Sequence, residues 1–116
     1  MLADLRFEHA GSVVVARLAG DVDMSNAGEV GTALDRTLTN DKLGLVLDLT
    51  EVDYFDSAGI HLIFDLRERL RVRGLKLRLV VPEGSSARAS LQLAGVLRTI
   101  DVDETLEAAL GAVAQP

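Results

Sequence analysis

Apolar and polar positions along the 116-residue chain change their period several times, and each change marks an element. In "LRFEHAGSVVVARLAGDVD", Leu5 and Phe7 alternate with polar neighbours and "VVVARL" is rich in β-branched residues. That pattern predicts two strands, and the short "HAGS" turn between them predicts a hairpin. From "MSNAGEV" onward the period lengthens. Ala27, Val30, Leu34 and Leu38 recur at helical spacing, behind an Asn26–Glu29 pair spaced as a capping box. Gly28 and Gly31 each weaken this helix by up to ~1 kcal/mol relative to alanine, so tertiary packing must hold it. "LGLVLDL" is continuously apolar, as a strand covered on both faces must be. Its end is expected near Leu49, with "TEVDYFD" as a connection. A helix from about Ser57 to Val72 follows. Leu62, Ile63, Leu66 and Leu70 form its core stripe, and Gly74 stops it. "LKLRLVV" alternates as a strand. "SSARASLQLAG" reads as a short helix ending at Gly95, and "VLRTIDV" as a short strand. "DETLEAALGAVA" reads as a last helix capped by Asp103.

The predicted order is therefore β-β-α-β-α-β-α-β-α. After the hairpin, strands and helices alternate. This is the pattern of a single α/β domain with a mostly parallel sheet of about five strands, an N-terminal hairpin and about four helices.

Composition narrows the function classes. Hydrophobic residues make up 48% of the chain, enough for a real core, and cysteine is absent, which removes disulfides and thiolate metal sites. A net charge of −6 argues against direct nucleic-acid binding. The basic residues of "RERLRVRGLKLRL" alternate with leucines and read as the solvated sides of a helix and a strand. "MLADLRFEHAG" is acidic where a signal peptide is basic, and no apolar run approaches the ~18 residues of a membrane span. A soluble, cytoplasmic protein is expected. With Phe7, Tyr54, Phe55 and Phe64 as the aromatic set, a stacking platform for bases or sugars is not.

The chemistry centres on "VDYFDSAGIHLIFDL" and on Ser57 within it. As a nucleophile Ser57 lacks support. "FDSAG" resembles the elbow G-x-S-x-G, but Phe55 replaces the first glycine, and the strand is expected to end well before the serine. His61 lies one helical turn on, yet no oxyanion donors or third group are indicated, so a small serine hydrolase is disfavoured and His61 reads as a surface histidine. Phosphate-loop and dinucleotide motifs are absent. "DVDMSNAGE" falls out of calcium-loop register, so no metal or cofactor is expected. As an N-cap, either Asp56 or Ser57 fits. On a helical wheel Ile60, His61, Phe64 and Arg67 fall broadly on the Ser57 side. Ile60 and Phe64 are then either partner contacts beside a modifiable hydroxyl or residues packed under a neighbouring loop.

"LAGDVDMSNAGEV", "LVLDLTEVDYFDSAG" and "LQLAGV" together resemble a STAS domain of the stand-alone kind that acts as an anti-sigma factor antagonist in bacteria. The resemblance spans essentially the whole chain, 1–116, and its most specific part is "DLTEVDYFDSAG". It implies a binding protein and not an enzyme. The unphosphorylated antagonist binds an anti-sigma factor that is also a serine kinase and so frees the sigma factor. Phosphorylation by that kinase releases the antagonist, and a serine phosphatase restores it. Ser57 would be the phosphoacceptor, flanked by Asp56 and by Asp23 of the "GDVD" turn. The docking face would be the early part of the Ser57 helix, with Ile60, His61, Phe64 and Arg67. Ala58 stands where many members carry a second hydroxyl residue, Tyr54 and Phe55 are bulky for this stretch, and His61 replaces an often small residue. Other roles on the same fold are a scaffold in a larger signalling assembly or a soluble subunit of a membrane transporter.

Overall fold

A computed structural model describes residues 4–115. Two strands open it, β1 (Asp4–Ala10) and β2 (Val13–Val22), joined at Gly11–Ser12. Gly11 has φ 62°, and a glycine at the first central position of a two-residue loop makes the type II′ turn whose twist matches a hairpin. Then come α1 (Ala27–Thr37), β3 (Gly44–Phe55), α2 (Ser57–Val72), β4 (Lys76–Val80), α3 (Arg88–Leu93), α4 (Val96–Thr99), β5 (Val102–Asp103) and α5 (Leu106–Ala114). The strands form one sheet in chain order, β1-β2-β3-β4-β5, with β1–β2 antiparallel and the remaining pairs parallel. The expected hairpin and mostly parallel sheet are both present.

The sheet is covered on both faces, which is why its middle strands are apolar at consecutive positions. On the front, Val14, Ala16, Leu18, Leu45, Leu47 and Leu49 meet the stripes of α1 (Ala27, Val30, Leu34) and α2 (Leu62, Ile63, Leu66, Leu70). On the back, Val13, Val15, Val46 and Val80 meet Ala109 and Val113 of α5. On the back of the hairpin Arg6 stands directly opposite Arg17, each paired with its own carboxylate, Asp4 at 3.1 Å and Glu8 at 3.2 Å. No helix among the described residues is long and apolar enough to cross a membrane.

Three expectations change. First, β3 does not end near Leu49. It runs to Phe55, pairing Gly20 with Val52 and Val22 with Phe55 beyond two register irregularities in β2. Here one strand face turns to solvent, so Val52 and Phe55 stay buried while Glu51, Asp53 and Tyr54 are exposed. Second, "VLRT" is a helical turn and not a strand. Gly95, at φ 79°, swings the chain from α3 into α4 and lets Val96 reach the core, leaving a two-residue β5 and, among the described residues, five helices. Third, Asp103 does not cap α5. Its carboxylate forks onto Arg78 at 2.8 and 2.9 Å, and the Thr105 hydroxyl accepts the Ala108 N–H at 3.1 Å instead.

Candidate functional site

β2 and β3 lie side by side, run the same way and finish level, with Val22 paired to Phe55. Their exits are therefore neighbours: β2 enters the turn before α1, and β3 enters α2 one residue later. Asp56 is that residue, and its N–H still donates to the Val22 carbonyl at 3.2 Å. Extended at φ −88° and ψ −173°, Asp56 is the N-cap of α2. Its Oδ1 accepts the Gly59 N–H at 2.9 Å, and its Oδ2 accepts the Met24 N–H, 32 residues away in the chain, at 3.1 Å. One carboxylate thus both caps the helix and ties it to the β2–α1 turn. Gly59 makes the approach possible, because a Cβ there would lie 2.4 Å from the Val22 carbonyl oxygen.

The cap assignment leaves Ser57 as the first helical residue, exposed and with no capping duty. The amides of Ser57 and Ala58 precede the first intrahelical bond, Ile60 N–H to the Asp56 carbonyl at 3.0 Å, and stand at the positive end of the helix dipole. An anion at Ser57 is tolerated there. β3 reaches almost to the serine, so the gap once expected between strand and serine does not separate it from a nucleophile elbow. What does is the absence of a glycine before it and of any base held against it: His61 is simply an exposed residue one turn on.

The facing turn is held by Asn26, which is 2% exposed. Its Nδ2 donates to the Asp21 carbonyl at 2.8 Å and its Oδ1 accepts the Asp23 N–H at 3.0 Å. Asn26 does occupy the N-cap position of α1, but its side chain makes no cap bond, so the expected capping box does not form. Asp23 Oδ1 accepts the Ser25 hydroxyl at 2.5 Å and the Ser25 N–H at 2.9 Å. Those two bonds, the hydroxyl first, hold the Asp23 carboxyl below its ordinary range. Because the folded value is the lower one, this carboxylate favours the folded state at neutral pH. That contribution disappears as pH falls through the lowered value.

The docking residues expected on α2 do not form one patch. Ser57 lies on the outermost line of the helix. Ile60, Phe64 and Arg67 occupy one flank. There Ile60 and Phe64 are half-buried against the front core, and Arg67 lines a hollow with Arg71, Leu75 and Leu77. His61 occupies the other flank, in a groove of about 340 Å³ between α1 and α2 with Met24, Gly28, Gly31 and Ala58. Leu62, on the same flank, would meet a Cβ at Gly31 at 3.1 Å, so the glycine keeps the two helices close. Met24, 82% exposed at the mouth of this groove, was not singled out from sequence. Its signal is a large apolar residue between Asp23 and Ser25 that belongs to no periodic stripe. Phe64→Ala is expected to lower stability by about 2 kcal/mol, roughly half the cost of emptying a fully buried phenylalanine site. A thermal melt reads this directly.

The serine at the first turn of α2, the acid that caps beside it and the open groove between α1 and α2 together lie on the surface of an α/β sheet domain. The chain belongs to the STAS domain family, whose model matches residues 4–109. It is 28% identical over 107 residues to the anti-sigma-F factor antagonist RsfB of Mycobacterium tuberculosis, covering 91% of this chain and 84% of that protein. An anti-sigma factor antagonist from Mycobacterium paratuberculosis superposes with a TM-score of 0.81 at 25% identity, covering 97% and 95% of the two chains. The Bacillus cell fate determinant SpoIIAA in its phosphorylated form shares the fold, with a TM-score of 0.70 at 19% identity over 95% of this chain and 99% of that one.

Proposed function

We propose that this protein is an anti-sigma factor antagonist that works by partner switching in the cytoplasm. Its unphosphorylated form binds an anti-sigma factor that is also a serine kinase, and the sigma factor is released. The kinase then transfers the γ-phosphoryl group of ATP to Ser57. The Oγ–P bond forms, the bond to the ADP leaving group breaks, and the hydroxyl proton passes to a base of the kinase. The phosphorylated form lets go, and a serine phosphatase restores it. The protein supplies an acceptor and a surface, and no catalysis of its own. The similarity to RsfB and to the Mycobacterium paratuberculosis antagonist supports the role.

One observation carries the switch: Asp56, not Ser57, caps α2. A serine committed to capping would have its hydroxyl oxygen engaged with a backbone N–H of the first turn instead of presented to a kinase. Ser57 is free of that duty, with Asp56 and Asp23 as its acidic neighbours; the partner contacts fall on two flanks of α2, Met24 and His61 on one and the exposed parts of Ile60, Phe64 and Arg67 on the other. Competing hydroxyls are worse placed. Thr50 Oγ1 donates to Asp48 at 2.6 Å, and the Ser85 hydroxyl is buried.

Incubation with the cognate anti-sigma factor kinase and ATP, followed by peptide mass analysis, is expected to place phosphate on Ser57 alone. Phosphate mainly on Thr50, Ser85 or Ser86 would overturn the assignment.

A further inference from the structure

A second surface, independent of Ser57, lies along the outer edge of β1. This seven-residue strand is at the end of the sheet order, and among the described residues no strand pairs with its outer side. The Gly11–Ser12 loop closes the hairpin on Ala10 and Val13, so these form a hydrogen-bonded pair and such pairs recur at every second residue. Asp4, Arg6, Glu8 and Ala10 therefore aim their backbone groups at β2. Leu5, Phe7 and His9 aim theirs outward, and Phe7 is the midpoint of the strand.

We infer that this edge pairs with β1 of a second copy of the chain, antiparallel and centred on Phe7. All seven residues of the strand find a partner only in that register. Leu5 meets His9 of the second copy, Phe7 meets Phe7, and the outward N–H and C=O groups of all three residues are satisfied. Arg6 then stands opposite Glu8, and Glu8 opposite Arg6. These are non-hydrogen-bonded pairs, whose Cα atoms are ~4.5 Å apart. Opposite charges at such positions stabilise a sheet and like charges weaken it. A register centred on His9 instead sets Arg6 against Ser12 and Glu8 against Ala10, and loses both charge pairs.

The single chain shows why the second copy fits. Arg6 faces Arg17 across β1 and β2, a like-charged rung; Asp4 pairs with Arg6 from two residues back on the same strand, and Glu8 pairs with Arg17 on the diagonal. On its outer side Arg6 has no opposite residue until Glu8 of the second copy arrives. Charged residues on an edge strand ordinarily discourage pairing. Here their order makes the strand self-complementary. Ser57, Asp56 and the β2–α1 turn lie outside β1, so a pair of chains joined at this edge keeps two copies of the serine surface.

Sedimentation equilibrium of the full chain across a wide concentration range tests this. The parent protein is expected to show a monomer–dimer equilibrium. Arg6→Glu sets carboxylates against each other and Glu8→Arg sets guanidiniums against each other. Each should weaken self-association by about tenfold or more. The double variant Arg6→Glu/Glu8→Arg restores both pairs and should restore the dimer. Three results would overturn the inference: a parent that is monomeric at every concentration, single variants that associate like the parent, or a folded double variant that stays monomeric.

Discussion

Gly59→Ala is expected to lower the stability of the protein by about 3 kcal/mol, the upper part of the range for forcing extra volume into a packed core. In a domain of this size that is a fall of roughly 10–20 °C in Tm. The added methyl would lie 2.4 Å from the Val22 carbonyl oxygen and 2.9 Å from Cδ1 of Phe55. The first of these is backbone, fixed by the β2–β3 ladder, so the helix start must move instead. That movement pulls the Gly59 N–H away from Asp56 and loosens the tie to Met24. A matched control separates this from ordinary helix propensity. Gly111, inside α5, has nothing within 4 Å of an added Cβ, and Gly111→Ala should stabilise by up to ~1 kcal/mol. Chemical denaturation of the two variants should therefore give shifts of opposite sign. A Gly59→Ala variant as stable as its parent would mean that the helix start is not held by close packing.

Binding should respond as strongly to charge at Ser57. Ser57→Ala is expected to bind the anti-sigma factor as the parent does, the phosphorylated protein about a thousandfold more weakly, and Ser57→Asp between them. A phosphoserine adds about −2 charge. At ~6 Å from one carboxylate of the partner, and an effective dielectric near 20, the repulsion is on the order of 5 kcal/mol before screening. Roughly 4 kcal/mol surviving screening is a thousandfold in affinity. The fold itself should hold, since the Ser57 and Ala58 amides and the helix dipole receive the anion. Titration calorimetry for affinity and a melting curve for the fold distinguish the two effects. Equal affinity of Ser57→Asp and Ser57→Ala would show that charge is not the switch.

Much of this was legible from local pattern. The core stripe of α2 follows from a 3.6-residue period, and the continuous apolar run of β3 from burial on two faces. What escaped depends on contacts distant in sequence. The second half of β3 reads as a loop because Glu51, Asp53 and Tyr54 interrupt the apolar run. Their exposure is set by pairing with β2, which periodicity within one segment cannot reveal. "VLRTIDV" offers apolar residues at spacings that suit both a strand and a helical turn, and Gly95 decides between them through its left-handed backbone. Asn26 and Glu29 have the spacing of a capping box, but spacing does not say that the asparagine turns back to hold Asp21 and Asp23. At the site, Asp56 and Ser57 were equivalent cap candidates until Gly59 N–H and Met24 N–H were both found on Asp56. The wheel placed Ile60, Phe64 and Arg67 near Ser57 in angle, yet the helix lies against the sheet so that His61 falls on the opposite flank.

The sheet order, identical to the chain order, has a consequence for how the protein is made. Each strand emerging from the ribosome finds its pairing edge already in place: β2 on β1 as a local hairpin, then β3, β4 and β5 in turn. No strand has to be inserted between two others, but only the β1–β2 hairpin closes locally; each parallel pairing waits for a crossover of about 20 residues and is the slower step. The helix that covers the back face is the exception, because α5 follows every strand in the chain. Val13, Val15, Val46 and Val80 therefore stay uncovered on a nascent chain whose front face is already complete. Until Ala109 and Val113 bury it, that apolar strip is the kind of exposed surface a chaperone recognises.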